Sequence, residues 1–382
     1  MRRFAAAFVD TLRAVLTVRD AFLVLLFAGV IYSFFYPESY RRNVVNDMRV
    51  AVVDQDHSST SRALLRRIDA LREVRISGQE TTLENARKAL EARQVEGVLL
   101  LPVNLERDIL RGGAGRVVVL GDGAYLARAS AVLEGASGAL GDFGVDQAMH
   151  QAVFMGAPLA PPLTLVDRPL YNHVEGFGSA YVPGVAMLII HQTLLVGIGI
   201  LLGKRRRELG RRLHFDGASL LGTAAAFMLI GLLGVMYYSG FVFWFQDYPR
   251  GGNLPGLLVA AVLFVGATVS LGLLIGSFFD TGQRSLQYII GTSIVFFFLA
   301  NLSWPAVMSP PALMTLAKLL PFKPGMNALV GLNQMGVSLN EVSAHLWNLV
   351  LLIVGYGTLA AYRLGAIPGF RIPREMRESP ST

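Results

Sequence analysis

Ala180 to Gly203, AYVPGVAMLIIHQTLLVGIGILLG, carries no formal charge and runs directly into KRRRELGRR. A stretch of roughly 25 such residues, rising 1.5 Å each, crosses the ~30 Å hydrocarbon core of a bilayer as one helix. Its basic end holds Lys204, Arg205, Arg206, Arg207, Arg211 and Arg212. Cytoplasmic flanks of membrane spans carry the excess of Lys and Arg, so this end faces the cytoplasm and the polar segment before it, LYNHVEGFGS, faces outward.

The remainder of the chain agrees with a membrane protein. Apolar residues make up 53% and charged residues 16%, against about 25% charged in soluble domains. The net charge of +7 does not imply nucleic acid, because the basic residues cluster beside apolar runs, where membrane topology explains them. With no cysteine, disulfides, thiolate metal sites and cysteine nucleophiles are excluded, but neither side of the membrane is selected.

In chain order, residues 1–20 place Phe4, Phe8, Leu12, Val15 and Leu16 at helical spacing, which predicts an amphipathic helix on the cytoplasmic membrane surface. The apolar run 21–36 follows as an uncleaved first span, since its end, SFFYP, offers no small-x-small cleavage site. Residues 37–178 read as an extracytoplasmic α/β domain. Strands are predicted at 48–53, 97–101 and 116–120 and helices at 59–71, 82–93 and 103–110, with one or two helices in 125–155. Alternation of this kind favours strands joined by helical crossovers. A five-span bundle occupies 179–364, its later spans at 217–245, 254–279, 285–304 and 346–362. Within it lies an external proline-punctuated segment, 305–345, with interfacial or re-entrant helices, and a cytoplasmic tail follows at 365–382. The expected fold is therefore an α-helical polytopic membrane protein of six spans with an α/β domain inserted between spans one and two. Fifteen Lys and Arg flank the predicted inner side and three, Arg250, Lys318 and Lys323, the outer side, which puts both termini in the cytoplasm.

VAVVDQDHSSTSRALL (50–65), Leu170-Tyr171-Asn172, Tyr181-Val182-Pro183-Gly184, Trp304-Pro305, Pro310-Pro311 and LLPFKPGMNAL (319–329) occur in this order on the six-span frame. In that arrangement the chain resembles the permeases, or membrane subunits, of type-2 ABC exporters. The resemblance implies a separate ABC ATPase subunit, a second permease copy or a paralogue, and, where the cell has two membranes, a periplasmic adaptor and an outer-membrane duct. It further implies that the loop after span two docks on the ATPase, which nominates Arg205, Arg206, Arg207, Glu208, Gly210 and Arg211. Here the sequence departs from the family's Glu-Arg/Lys-Gly-Thr turn: Glu208 and Gly210 keep the rough register and the Thr is missing. Positive-inside topology alone also accounts for the basic cluster.

No G-x-x-x-x-G-K-[ST] loop is present, so ATP enters only through a partner and this chain binds no cofactor of its own. The nearest approximation, Gly203-Lys204-Arg205, has Ile198 in place of the first glycine and ends an apolar helix. H-E-x-x-H and G-x-S-x-G are likewise missing, so no catalytic residue or metal ligand is nominated. Asp54, Asp56 and Ser58 alternate as cation ligands do, but without the EF-hand glycine and distal Glu they read as a strand-end turn and helix cap. Pro183 and Gly184 form a candidate hinge. His191, Gln192 and Asn301 are the intramembrane polar candidates, for substrate or proton handling or for a hydrogen bond across a helix interface. Gly199 with Gly203, and Gly272 with Gly276, permit close helix approach.

Three functions compete: the permease subunit of an ABC-type exporter in the inner (plasma) membrane, surrounded by membrane lipid; a membrane-anchored surface receptor acting through the α/β domain; and an ion-coupled secondary transporter. Five clustered spans exceed what an anchor needs. The spans carry no Asp or Glu and show no internal repeat, which tells against ion coupling.

Overall fold

The computed structural model describes residues 1–39, 47–111, 115–121, 126–154, 176–210, 213–302 and 308–367. Leu170-Tyr171-Asn172, Arg211, Trp304-Pro305 and the tail from 368 onward lie outside the described residues. The chain divides into two compact units, Met1–Arg41 with Pro169–Thr382, and Arg42–Arg168.

The first unit begins with α1 (Arg2–Thr17), whose buried face centres on Thr11 and Val15. Val18 adopts an extended conformation and separates α1 from α2 (Arg19–Glu38). Within α2, Leu23–Phe27 forms a π-helical turn. The span runs past Tyr36, because Pro37 is held inside the last turn.

Residues 42–168 form the α/β unit. Strand β1 (Met48–Asp54) leads to α3 (Ser59–Asp69), β2 (Val74–Gln79), α4 (Leu83–Glu91), β3 (Gly97–Leu101), α5 (Leu105–Leu110), β4 (Val118–Gly121) and α6 (Leu126–Phe154). The sheet order is β2-β1-β3-β4. β1 pairs in parallel with β2 and β3, and β4 closes the edge antiparallel to β3. Alternate residues of β1 enter different cores. Val50 and Val52 pack with Leu64, Leu65 and Ile68 of α3 and with Phe143 of α6, whereas Ala51 and Val53 pack with Ala86 and Ala89 of α4. Burial on both faces explains why this strand reads as an unbroken apolar run. Residues 126–154 make one helix, which decides between the one or two expected there. Strand β2 has no counterpart in the sequence reading, since it is an edge strand with only Val74 fully buried. The unit is also narrower than the predicted 37–178.

Four more long helices complete the first unit: α7 (Phe177–Leu209), α8 (Gly217–Phe245), α9 (Leu254–Gly276) and, after others, α13 (Ser343–Arg363). Together with α2 they are the five described helices long and apolar enough to cross a membrane. Between α9 and α13 lie α10 (Gly282–Leu299), α11 (Pro311–Ala317) and α12 (Phe322–Val330), the last continuing into a π turn at Gly331–Met335. α10 is 18 residues long, and its first two turns hold Gln283, Arg284 and Gln287, which keeps it out of the set of five. The predicted fifth span, 285–304, is thus a shorter helix with a polar start.

Helix α7 is the centre of this unit, with nearly every residue from Val182 to Ile200 buried. Glycines set its crossings. A Cβ on Gly199 would overlap the Ser285 side chain of α10, and one on Gly276 of α9 would meet the Gly199 backbone at 3.4 Å. Both predicted G-x-x-x-G pairs therefore lie at helix contacts, where small residues admit a neighbouring backbone. α1 packs on α8, where the Thr11 and Thr223 hydroxyls meet at 3.5 Å.

Candidate functional site

The basic end of α7 is helical, not a loop. Lys204 to Leu209 continue the helix, as expected of residue types with high helix propensity. Gly210 then stops it in a left-handed conformation (φ 62°) that glycine adopts without strain. The predicted docking residues separate by role. Arg206 pairs with Asp280 at 3.1 Å and donates from Nη1 to the carbonyls of Ser277 and Phe278, each at 3.3 Å. A cation at these orphan carbonyls closes the C-terminus of α9. Arg205 lies over the Phe215 ring, 5.0 Å from its centroid. Both residues brace the bundle.

Arg207 and Glu208 do something else. With Lys204 they line a groove of about 640 Å³ whose other walls are residues 17–20, at the α1–α2 junction, and residues 281–283, at the start of α10. Glu208 faces Lys204 at 3.8 Å, one turn away. The groove has Arg19, Lys204 and Arg207 against Asp20 and Glu208, so it presents both signs of charge to an incoming surface. Residues 17–20 and 281–283 were not among the sequence candidates. The first belongs to a helix junction with no Gly or Pro to reveal it, and the second is an ordinary capping turn in which Thr281 accepts from the Arg284 amide.

Deeper in the bundle, His191 is fully buried, and neither ring nitrogen has a hydrogen-bond partner. Its ring meets Phe296 of α10 and Phe322 at the start of α12 edge-on, with centroids 6.1 and 5.5 Å apart. The expected interhelical hydrogen bond is replaced by aromatic contacts. Gln192, adjacent in sequence and so turned about 100° around the helix, likewise has both amide atoms buried and unpartnered. Asn301 follows the end of α10 with φ 56°, a left-handed conformation that Asn tolerates. Its Nδ2 donates to Ser309 Oγ at 2.8 Å, while its Oδ1 is buried without a partner. Pro183 is buried inside α7. A Cβ on Gly184 would come within 2.6 Å of Leu302 Cδ2 and 3.1 Å of Met326 Sδ, which makes Gly184 a close-packing position as well as a hinge candidate.

In the α/β unit, Asp54 and Asp56 build the turn predicted for them. Asp54 Oδ1 accepts from the Asp56 and His57 amides at 3.0 Å, and Ser58 Oγ caps α3 by accepting from the Ser61 amide at 3.0 Å. Glu106 accepts from the Thr60 amide (3.1 Å), the Thr60 hydroxyl (2.8 Å) and the Ser59 hydroxyl. These hydroxyl donors hold its carboxyl below the ordinary value of 4.5.

Apolar helices long enough to cross a membrane, packed around the buried α7, make this unit an integral membrane domain. The chain belongs to the ABC-2 family of transporter proteins, whose family model matches residues 21–362. It is also similar to the linearmycin resistance permease protein LnrN of Bacillus subtilis (strain 168), with 20% identity over 351 residues that cover 84% of this chain and 88% of that protein. It is accordingly a multi-pass membrane protein of transport.

Proposed function

We propose that this chain is the permease of an ATP-driven exporter, energised by a separate ABC ATPase subunit that docks in the groove at the basic end of α7. The groove carries this reading. It joins three elements that must move together, the α1–α2 junction, the end of α7 and the start of α10, and it offers Arg207 and Glu208 for contact while Arg205 and Arg206 stay engaged within the bundle. Family membership supports an ATPase partner in general, and the similar protein's name as a resistance permease supports the outward direction.

In this reading α10 is a sixth span, both termini are cytoplasmic, and residues 42–168 lie outside the inner membrane. A second copy or a paralogous permease completes the pathway, with an adaptor and an outer-membrane duct in a cell with two membranes. His191 and Gln192 lie on the pathway, and Pro183-Gly184 gives the outer end of α7 room to bend. The test is purification from the source membranes in mild detergent, with co-purifying chains identified and ATPase activity measured. An ABC ATPase should accompany the wild type and be lost from the Arg207→Glu, Glu208→Lys variant. Full recovery of the ATPase with that variant, correctly inserted, removes the groove from docking.

A further inference from the structure

A cleft of about 660 Å³ opens between α8 and α9, at the end of the bundle that carries the Gln246–Asn253 turn. Val235, Met236, Leu254, Leu257 and Leu258 form its apolar wall. Met236, Leu254 and Leu258 remain 49% to 59% exposed, so in a bilayer the wall faces acyl chains. The rim carries one charge of each sign, Asp247 and Arg250, and neither is held in an ion pair among the described residues.

Two further lining residues each carry a buried, unsatisfied atom. Ser239 Oγ and Asn333 Nδ2 have no hydrogen-bond partner, although the residues are only 5% and 3% exposed. Asn333 Oδ1 accepts from the Gly251 amide at 2.9 Å, which fixes the side-chain amide and leaves its buried NH₂ without an acceptor. Ser239 lies within the π turn Tyr237–Val242 and Asn333 within the π turn Gly331–Met335. Such turns recur at functional sites, where the extra residue re-aims a side chain.

We infer that this cleft binds one glycerophospholipid with a zwitterionic, primary-ammonium headgroup. Arg250 holds the phosphate, and Asp247 accepts from the ammonium. One acyl chain follows Met236, Leu254 and Leu258 along the apolar wall. The volume suits the headgroup and glycerol of this occupant, whose acyl chains continue into the bilayer; sites for small molecules commonly measure ~300–1,000 Å³ with an apolar lining and a few placed polar groups. A purely anionic headgroup would leave Asp247 opposed, and a choline headgroup would offer it no N–H.

The experiment is native mass spectrometry of the intact protein in detergent, exchanged with vesicles of equal parts phosphatidylethanolamine, phosphatidylcholine and phosphatidylglycerol. The wild type should retain the ethanolamine lipid in preference to the other two. Arg250→Gln should weaken retention about tenfold, the usual scale of one charge-assisted hydrogen bond. Asp247→Asn should abolish the preference over choline, and Asn accepts the left-handed backbone at 247 (φ 54°). Gly240→Phe should exclude all three lipids; Gly240 lines the cleft, and an added Cβ there meets nothing within 4 Å, so the backbone position has room for a side chain to start. Equal retention of the three lipids by the wild type overturns the inference, as does wild-type retention by both Arg250→Gln and Gly240→Phe. No nucleotide enters the readout, so the outcome is independent of the ATPase reading.

Discussion

Gln334 Nε2 donates to the Ser179 carbonyl at 3.5 Å, and Ser179 stands four residues before Pro183, whose ring nitrogen has no hydrogen to give that carbonyl. The gap in the α7 ladder is thus served from the π turn Gly331–Met335. Gln334→Ala should destabilise the protein by ~0.5–1.5 kcal/mol, the worth of one such hydrogen bond. In a Pro183→Ala background residue 183 supplies its own N–H, and the penalty should shrink. Melting in one detergent for the two single variants and the double variant measures the coupling; independent, additive effects would show that Gln334 does not serve the proline gap.

The split among the arginines at the end of α7 predicts opposite phenotypes. Arg206→Ala removes the cation from the Ser277 and Phe278 carbonyls and from Asp280, and should lower the yield of folded protein. Arg207→Ala, at a groove wall, should leave yield unchanged and reduce ATPase recovery about tenfold, as loss of one charge-assisted contact does. Size-exclusion profiles and quantified co-purification separate the two.

Charge asymmetry predicts topology. Reporter fusions at Gly113 and Ser338 should report outside, and fusions at Glu208 and after Arg374 inside. A cytoplasmic signal at Gly113 would reverse the orientation and place the α/β unit on the ATPase side.

Glu106 gives a pH prediction of definite sign. Its carboxyl is held below the ordinary 4.5 by the Ser59 and Thr60 hydroxyls, so its contribution is fully present above 4.5 and is lost as pH falls through the lower, folded value. Hydrogen exchange of the segment around Thr60 should show more protection in the wild type than in Glu106→Gln at pH 6, and the difference should vanish in acid. A difference that persists at the acid end would mean the ionised carboxylate is not what orders this turn.

The parts of the fold that were legible are those where burial imposes a pattern. The uncharged run 180–203 and the apolar β1 and β3 could take few other forms, and Ser58 announced its cap three residues ahead of the amide it binds. Strand β2 was silent because an edge strand with one buried residue needs no periodicity. The end of α7 reads as a loop by its charge, whereas the helix propensity of Lys, Arg, Glu and Leu carries the helix to Leu209. The groove proposed for docking is half legible: Arg207 and Glu208 stand out by charge, whereas its walls at 17–20 and 281–283 come together only through packing. The π turns at 237–242 and 331–335 left no signal, since an extra residue in a helical turn alters geometry without altering composition.

His191 separates packing from function. A buried imidazole with neither nitrogen bonded loses the hydrogen bonds that water would supply, a deficit of ~1–3 kcal/mol for such a group. Its edge contacts with Phe296 and Phe322 return only part of that, about 0.5–1.5 kcal/mol for a well-placed aromatic pair. An apolar side chain of similar size would serve packing better, so His191→Leu should melt at or above the wild-type temperature. If the imidazole meets the passing substrate, as proposed, the same variant should slow efflux in cells that carry the ATPase partner. His191→Gln, which keeps a donor and an acceptor at this depth, should recover part of the rate. Membrane-fraction levels, melting in detergent and efflux of a fluorescent substrate decide the matter together. A His191→Leu protein that melts lower than the wild type shows the ring to be a packing element, and one that keeps full efflux places the pathway elsewhere in the bundle.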